Sequence, residues 1–448
     1  MTSSYSLLQA LTSCQAMQQF DRHVLSAIDP AAIQRAFDPD VQRERLYHSL
    51  PLFLTFFNQT LHGCSCRDAV SHGTLRQWLP PQTCPRNAAY CNARLRMSES
   101  ALHTLVRDVG CRLAGAPTPL PCQRPIRVVD GSSTTLSDTP ANRATYPQSS
   151  LQRRHCGFPL MYFVALMDLA SGALVDLTTG NQTDSERALF RRLWDGLSAG
   201  DIVLGDRGFD GFTDTALLQQ RGIDTIFRLH QSRGIDLRRA HKNGAGDWTL
   251  ELPAPVRPPA WAAEQALPTS LRVRIVEFKA LRCCRNQGRI RLITTLLDTA
   301  QYPKAWLAQV YRRRWEMELN LRHIKSTLGL DQLAGRSPAM CRKELLMGLL
   351  VYNLVRWLML TAASAEQVAL ERISFKGSWT RCILWLLSPT SDRARLFDLL
   401  QRQIAGDLVP DRPNRREPRC IKRRPKAYPQ LWGSRRTVIA WERKKRAG

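Results

Sequence analysis

Residues 126–133 read IRVVDGSS and residues 202–208 read IVLGDRG. Both are short apolar runs that reach an aspartate and then a glycine. Side chains alternate across a strand, so Ile126, Val128 and Asp130 share one face, as do Ile202, Leu204 and Asp206. The first strand is expected to end at Gly131-Ser132-Ser133, and a turn bearing Gly208 follows the second. Each aspartate is then offered from a defined face at a strand end, where sites in open α/β sheets gather. Either one alone reads more readily as a turn or cap residue.

Working outward, Met161–Met167 and Ala173–Leu177 predict a hairpin turning at Ala170-Ser171-Gly172. Asp184–Gly196 and Thr213–Arg221 carry helical patterning, and Thr225–Leu229 is a further strand. Trp248–Leu252, Arg272–Phe278 and Ile290–Leu297, separated by Gly and Pro clusters, predict a β-rich insertion. Helices are expected from Pro303 to about Gly406, and before Pro121. Leu345–Leu360 is the most apolar run. It contains Asn353 and Arg356 and falls short of the ~18 apolar residues of a membrane span, so it is expected to be a buried helix. The fold class is α/β. The expected division is a helical domain over 1–115, the first part of the core over 116–230, the insertion over 231–300, a helical completion over 301–406 and a basic tail over 407–448.

A second stretch, Tyr311–Lys325, reads YRRRWEMELNLRHIK. On one straight helix, at about 100° per residue, Tyr311, Arg314, Glu318 and Lys325 fall within an arc of roughly 60°. Val310, Met317, Leu321, Ile324 and Leu328 form the adjacent apolar stripe. A Tyr, an Arg, a Glu and a Lys thus line the edge of a buried face, while Glu316 points away. Two aspartates and this glutamate, with no His or Cys cluster beside them, suit hard cations, Mg²⁺ or Mn²⁺. Two such ions can activate a nucleophile and stabilise the leaving oxygen of a phosphodiester.

The charge agrees with a phosphate partner. With 64 Lys and Arg against 38 Asp and Glu, the 448-residue chain carries +26, which favours nucleic acid. Val409–Gly448 holds fourteen basic and three acidic residues, hence +11 of that excess. Its five prolines predict an extended segment, with Tyr428, Trp432 and Trp441 interleaved for stacking. A helix-turn-helix is the candidate DNA reader between Arg67 and Leu105, broken at Pro80-Pro81 and resuming at Asn87. The 13 cysteines are odd in number and scattered, as in reduced thiols, and no apolar stretch opens the chain, so a cytoplasmic setting is expected.

Taken together, VVDGSSTTLSDTPANRATYPQ (Val128–Gln148), VLGDRGFDGF (Val203–Phe212) and the Tyr–x2–Arg–x3–Glu–x6–Lys spacing of Tyr311–Lys325 resemble the DDE transposases of insertion-sequence family four. The basic run Arg412–Leu431 is also similar to tails of that family. The resemblance implies a ribonuclease-H-like catalytic core interrupted by the β-rich insertion. Asp206 and Glu318 are 112 residues apart, which leaves room for it. It further implies that Asp130, Asp206 and Glu318 are catalytic and hold two divalent ions, and that Tyr311, Arg314 and Lys325 contact phosphates. The implied reaction is cut-and-paste transposition on duplex DNA bearing terminal inverted repeats, by a homodimer with no membrane involved. In some relatives a flipped base stacks on an aromatic residue of the insertion, and Trp248, Trp261 and Trp306 are the candidates here. Two other readings stand beside it: a metal-dependent nuclease that does not join ends, and a non-catalytic repressor.

Overall fold

The computed structural model describes residues 46–47, 49–86, 88–115, 124–150, 156–230, 233–279, 289–387, 393–410 and 433–447. The expectations for residues 1–45, for Asn87 and for the tail segment 411–432 with Tyr428 and Trp432 lie outside these residues. Four helices come first: α1 (Ser49–His62), α2 (Cys66–Leu75), α3 (Ala89–Arg96) and α4 (Glu99–Ala114). The strands β1 (Ile126–Leu136), β2 (Leu160–Asp168), β3 (Leu174–Gly180), β4 (Ile202–Gly205) and β5 (Asp224–Arg228) follow, with α5 (Pro140–Thr145), α6 (Glu186–Arg191) and α7 (Phe212–Gln220) between them. The segment between β5 and the helical part contributes β6 (His241–Gly244), β7 (Asp247–Pro253), β8 (Ser270–Lys279) and β9 (Arg289–Thr294). The helical part comprises α8 (Lys304–Arg313), α9 (Trp315–Arg322), a π-helical turn (His323–Thr327), β10 (Gln332–Leu333), α10 (Pro338–Ala365), α11 (Phe375–Leu387), α12 (Arg393–Gly406) and α13 (Arg435–Ala447).

These strands form one mixed sheet in the order β3-β2-β1-β4-β5-β9-β8-β7-β6, with β10 beside β1. β4 runs parallel to β1 and β5 parallel to β4, while β9 joins β5 antiparallel. The strands of the 231–300 segment therefore extend the sheet that carries the aspartates. Strand alternation divides the apolar residues between two layers. Ile126, Val128, Ile202, Leu204 and Ile226 pack with α1, α4, α9 and α10 on one face. Val129, Val203 and Phe227 pack with α6 and α7 on the other. Helices before and after the sheet in sequence thus share a single core layer.

α10 organises that layer. It is the expected buried helix, and its most apolar window is 83% buried inside the fold. Asn353 and Arg356, the two polar residues in its apolar run, cap the edge hairpin. Asn353 Nδ2 donates to the Leu174 carbonyl and its Oδ1 accepts from the Leu174 N–H, each at 2.9 Å. Arg356 Nε donates to the Ser171 carbonyl at 2.9 Å. The predicted hairpin turn is present, with Asp168 Oδ2 accepting from both the backbone and the hydroxyl of Ser171.

Four expectations are corrected. β1 does not stop at Gly131, because antiparallel pairing with β2 continues to Thr135 opposite Leu160. What ends near Asp130 is the parallel partner β4, whose pairing reaches only Val128 opposite Leu204. The stretch 310–328 is not one straight helix. It tightens at Arg314, whose N–H bonds Tyr311 and whose carbonyl accepts from Met317 at i+3. It then widens at the π turn, where Leu328 N–H bonds His323 at i+5. The arc calculated for a straight helix therefore does not extend to Lys325. The tail is not wholly extended: the last proline is Pro429, and beyond it Ser434 caps α13, its hydroxyl accepting from the Thr437 N–H at 3.2 Å. Finally, α2 and α3 are separated by residues 76–88, far longer than the three- or four-residue turn of a helix-turn-helix.

Replacing Asn353 with Leu leaves the N–H and C=O of Leu174 buried without partners. Urea unfolding of this variant should show a loss of about 2–4 kcal/mol. Unchanged stability would show that the α10–hairpin bonds do not hold the edge.

Candidate active site

The register of β1 on β4 places the two aspartates. Ile126 faces Ile202 and Val128 faces Leu204; Asp130 lies two residues beyond this pairing on β1 and Asp206 directly follows the end of β4, near enough for its charge to act on Asp130. Asp130 Oδ1 accepts from the Gly131 N–H at 2.9 Å, and Asp206 Oδ1 accepts from the Gly208 N–H at 2.7 Å. Each carboxylate is thus steered by the backbone that follows it.

α9 crosses the same face. Met317 and Leu321 are buried in the layer that holds Val128 and Leu204, and this packing presents Arg314 and Glu318 to the aspartates. Arg314 Nη2 donates to Glu318 Oε1 at 2.8 Å, and Nη1 lies 3.6 Å from Asp130 Oδ2. One guanidinium therefore spans the first aspartate and the glutamate. Tyr311 is buried, and the Arg314 guanidinium carbon lies 5.9 Å from its ring centre. Glu316 is engaged elsewhere, by Arg313 at 2.7 Å.

The electrostatics follow from crowding. Burial pushes the Asp130 carboxyl up to about 6, and the charges of Asp206 and Glu186 add to the effect while Arg314 and the Gly131 N–H oppose it. Burial also raises Tyr311, against the pull of Arg314 and Arg228. Arg314 loses solvent, but Tyr311, Asp130 and Glu318 more than offset that loss and hold its pKa above the usual arginine range.

The structure brings together Asp130, Asp206, Glu318, Tyr311 and Arg314. It places Lys325 in the π turn, half-buried, with no hydrogen bond or ion pair to the other five among the described residues. Asp130 and Asp206 supply hard oxygen donors whose negative charge Arg314 and two backbone N–H groups relieve only in part, which fits a divalent ion. Glu318 is turned onto Arg314, and no three His, Cys, Asp or Glu side chains converge to ligation distance among the described residues.

Two neighbours were missed in the sequence. Trp315 is 56% exposed, next to Arg314 and three residues before Glu318, a large apolar group where α9 faces solvent. Glu186, the first residue of α6, places Oε1 2.3 Å from where a Cβ on Gly131 would stand. Burial, and then the Asp206 charge, raise its pKa. An acid in the first turn of a helix is an ordinary dipole partner, so nothing in the sequence marked it. The three tryptophans considered for stacking are occupied. Trp261 lies under Arg191 at 3.6 Å and against Trp194, Trp306 packs on Tyr302 at 5.3 Å, and Trp248 lies against the second core layer.

Residues 121–354 match the protein-family model described as Transposase DDE domain. The chain is 27% identical over 355 residues to the transposase InsG for insertion sequence element IS4 of Escherichia coli (strain K12), across 76% of this chain and 78% of that one. It is 25% identical over 252 residues to the putative transposase y4zB of Sinorhizobium fredii (strain NBRC 101917 / NGR234), across 55% and 62% respectively. Among solved structures, the cryo-EM piggyBac transposase synaptic complex with hairpin DNA aligns over 87% of this chain and 84% of its own, with 9% identity and a TM-score of 0.42. The family match spans just over half of the chain and includes β1, β4 and α9 with both aspartates and Glu318, and on that ground the chain belongs to the DDE transposase family.

Proposed function

We propose that this DNA transposase binds the terminal inverted repeats of an insertion sequence and carries out metal-dependent cleavage and strand transfer by a cut-and-paste route. The observation that carries the reading is the parallel pairing of β1 with β4, which brings Asp130 and the Asp206 that follows β4 to neighbouring positions, with Arg314 spanning Asp130 and Glu318. In this reading β3-β2-β1-β4-β5 with its flanking helices is a ribonuclease-H-like core, and β6–β9 are the insertion.

Asp130, Asp206 and Glu318 are the residues to hold Mg²⁺ or Mn²⁺. A pair of such ions supplies an activated attacking oxygen and a stabilised leaving oxygen at the phosphodiester. The chain's own groups do the rest. Arg314 fixes the Glu318 carboxylate and masks part of the acidic charge before DNA arrives. Tyr311, Arg314 and Lys325 approach the phosphates of the cleaved end, where charge-assisted bonds position the strand without reading its sequence. Trp315 offers an exposed ring for base stacking beside them. The net charge of +26 draws the duplex in. The partners are repeat and target DNA and a second copy of the chain, with no membrane. The setting is the cytoplasm, at the nucleoid.

Asp206→Ala and Glu318→Gln should each abolish cleavage of a repeat-bearing end while leaving repeat binding within about twofold in a gel-shift assay. The choice of a charge-only change at Glu318 isolates the carboxylate. Full cleavage by either variant sinks the assignment. Cleavage by the parent that is never followed by joining of a pre-cut end to a plasmid would favour a nuclease.

A second outcome concerns pH. The Asp130 carboxyl, near 6 in the folded chain against the usual 3.8, binds its proton more tightly folded than unfolded. In ion-free solution its contribution to stability is complete below about pH 4 and is lost as pH rises through about 6. The loss amounts to about 3 kcal/mol. Asp130→Asn removes that loss, so urea unfolding should shift in the variant's favour between pH 4 and 7. Parallel pH profiles for variant and parent would overturn the point.

A further inference from the structure

We propose that Glu186 is a fourth carboxylate of the cation site, acting with Asp130, Asp206 and Glu318. The inference rests on the transposase reading and adds a residue that the three sequence boxes do not contain.

Glu186 comes from the opposite layer of the sheet. Ser185 caps α6, with its hydroxyl accepting from the Ala188 N–H at 3.2 Å, and Leu189 and Phe190 bury the helix in the second core layer. Gly131 follows Asp130, so any side chain there would point to this layer rather than toward α9. A Cβ at 131 would stand 2.3 Å from Glu186 Oε1 and 2.7 Å from its Cδ. Glycine at this point of a paired strand leaves room for the Glu186 carboxylate against the backbone that follows Asp130. The Cβ position of Gly208 lies 3.0 Å from Asp206 Oδ1 and 3.7 Å from Glu186 Oε2. Two carboxylates thus flank the same point, and the Glu186 charge is felt at Asp130 as well.

The ordinary role for an acid on this helix is an ion pair, and its neighbours show the contrast. Arg191 pairs with Asp214 at 2.6 Å and Arg192 with Asp184 at 2.8 Å. The Glu186 carboxylate makes no ion pair or hydrogen bond among the described residues. An unpaired acid held against two others is unfavourable unless a cation joins them. A DDE transposase domain independently calls for such a cation, and Glu186 would add a hard oxygen donor from the second layer of the fold to those of Asp130 and Asp206.

The test is Mn²⁺ binding by the full-length protein without DNA, read from the disappearance of the free-ion electron paramagnetic resonance signal. Glu186→Gln keeps the size of an exposed side chain and should weaken binding about tenfold. Glu316→Gln, whose carboxylate pairs with Arg313, should bind as the parent does. Parent-like Mn²⁺ affinity in Glu186→Gln overturns the inference. If Asp206→Asn loses Mn²⁺ while Glu186→Gln retains it, the inference alone fails and the transposase reading stands. End cleavage by Asp206→Ala tests that reading separately.

Discussion

The parallel pairing of β1 with β4 is the constraint on which the site depends. Pairing that sets Ile126 against Ile202 and Val128 against Leu204 brings Asp130 near the Asp206 that follows β4. A slip of one residue would send one of them to the opposite layer. Apolar packing fixes the register. Val128 and Leu204 sit under the α9–α10 layer and Val129 and Val203 under the α6–α7 layer, all fully buried. Each such side chain contributes about 1.5–3 kcal/mol, and none can be turned to solvent without losing it. The same burial that locks the strands removes water from Asp130 and drives its carboxyl toward neutrality. The precision of the site and its electrostatic strain have one origin.

The fold relieves that strain in part. Backbone N–H groups at Gly131 and Gly208 each support an aspartate, and Arg314 spans Asp130 and Glu318. Hydrogen bonds to a carboxylate favour its charged form. Because α9 tightens at Arg314, its guanidinium reaches down to β1 and along the helix to Glu318 at once. The π turn that follows lets Ile324, Leu328 and Leu330 all enter the core. The irregularities of this helix thus serve both its packing and its display of polar groups.

Much of this was legible in the sequence because it follows from period. Alternation in IRVVD and IVLGD identified the shared face of the two aspartates, and the apolar stripe Met317–Leu321–Ile324 identified the buried side of the helix that bears Glu318. What escaped depended on partners distant in sequence. β1 runs past Gly131 only because β2 is there to pair with it. Glu186 sits on a six-residue helix and matters only through the absent side chain of Gly131, a relation between two layers that no local pattern encodes. Lys325 was placed by extending a straight helix through residues that widen into a π turn. The tail helix formed because the helix-breaking prolines stop at Pro429.

The basic excess and the acidic centre are parts of one electrostatic design. Bare, the carboxylates beneath α9 would repel a phosphodiester, and a chain of balanced charge would have little means of holding DNA against them. A net +26 supplies a long-range attraction that is screened by salt. At the centre the charges of Asp206 and Glu186 act on Asp130, and such a concentration of carboxylates is where a divalent ion would be stabilised. In the proposed mechanism, DNA drawn in by the surrounding charge would bring phosphate oxygens to the same point, and each phosphate would reduce the positive charge that a bound cation leaves uncompensated by the carboxylates. Cation and DNA would then reinforce one another's binding, which ties the proposed chemistry to the arrival of its substrate.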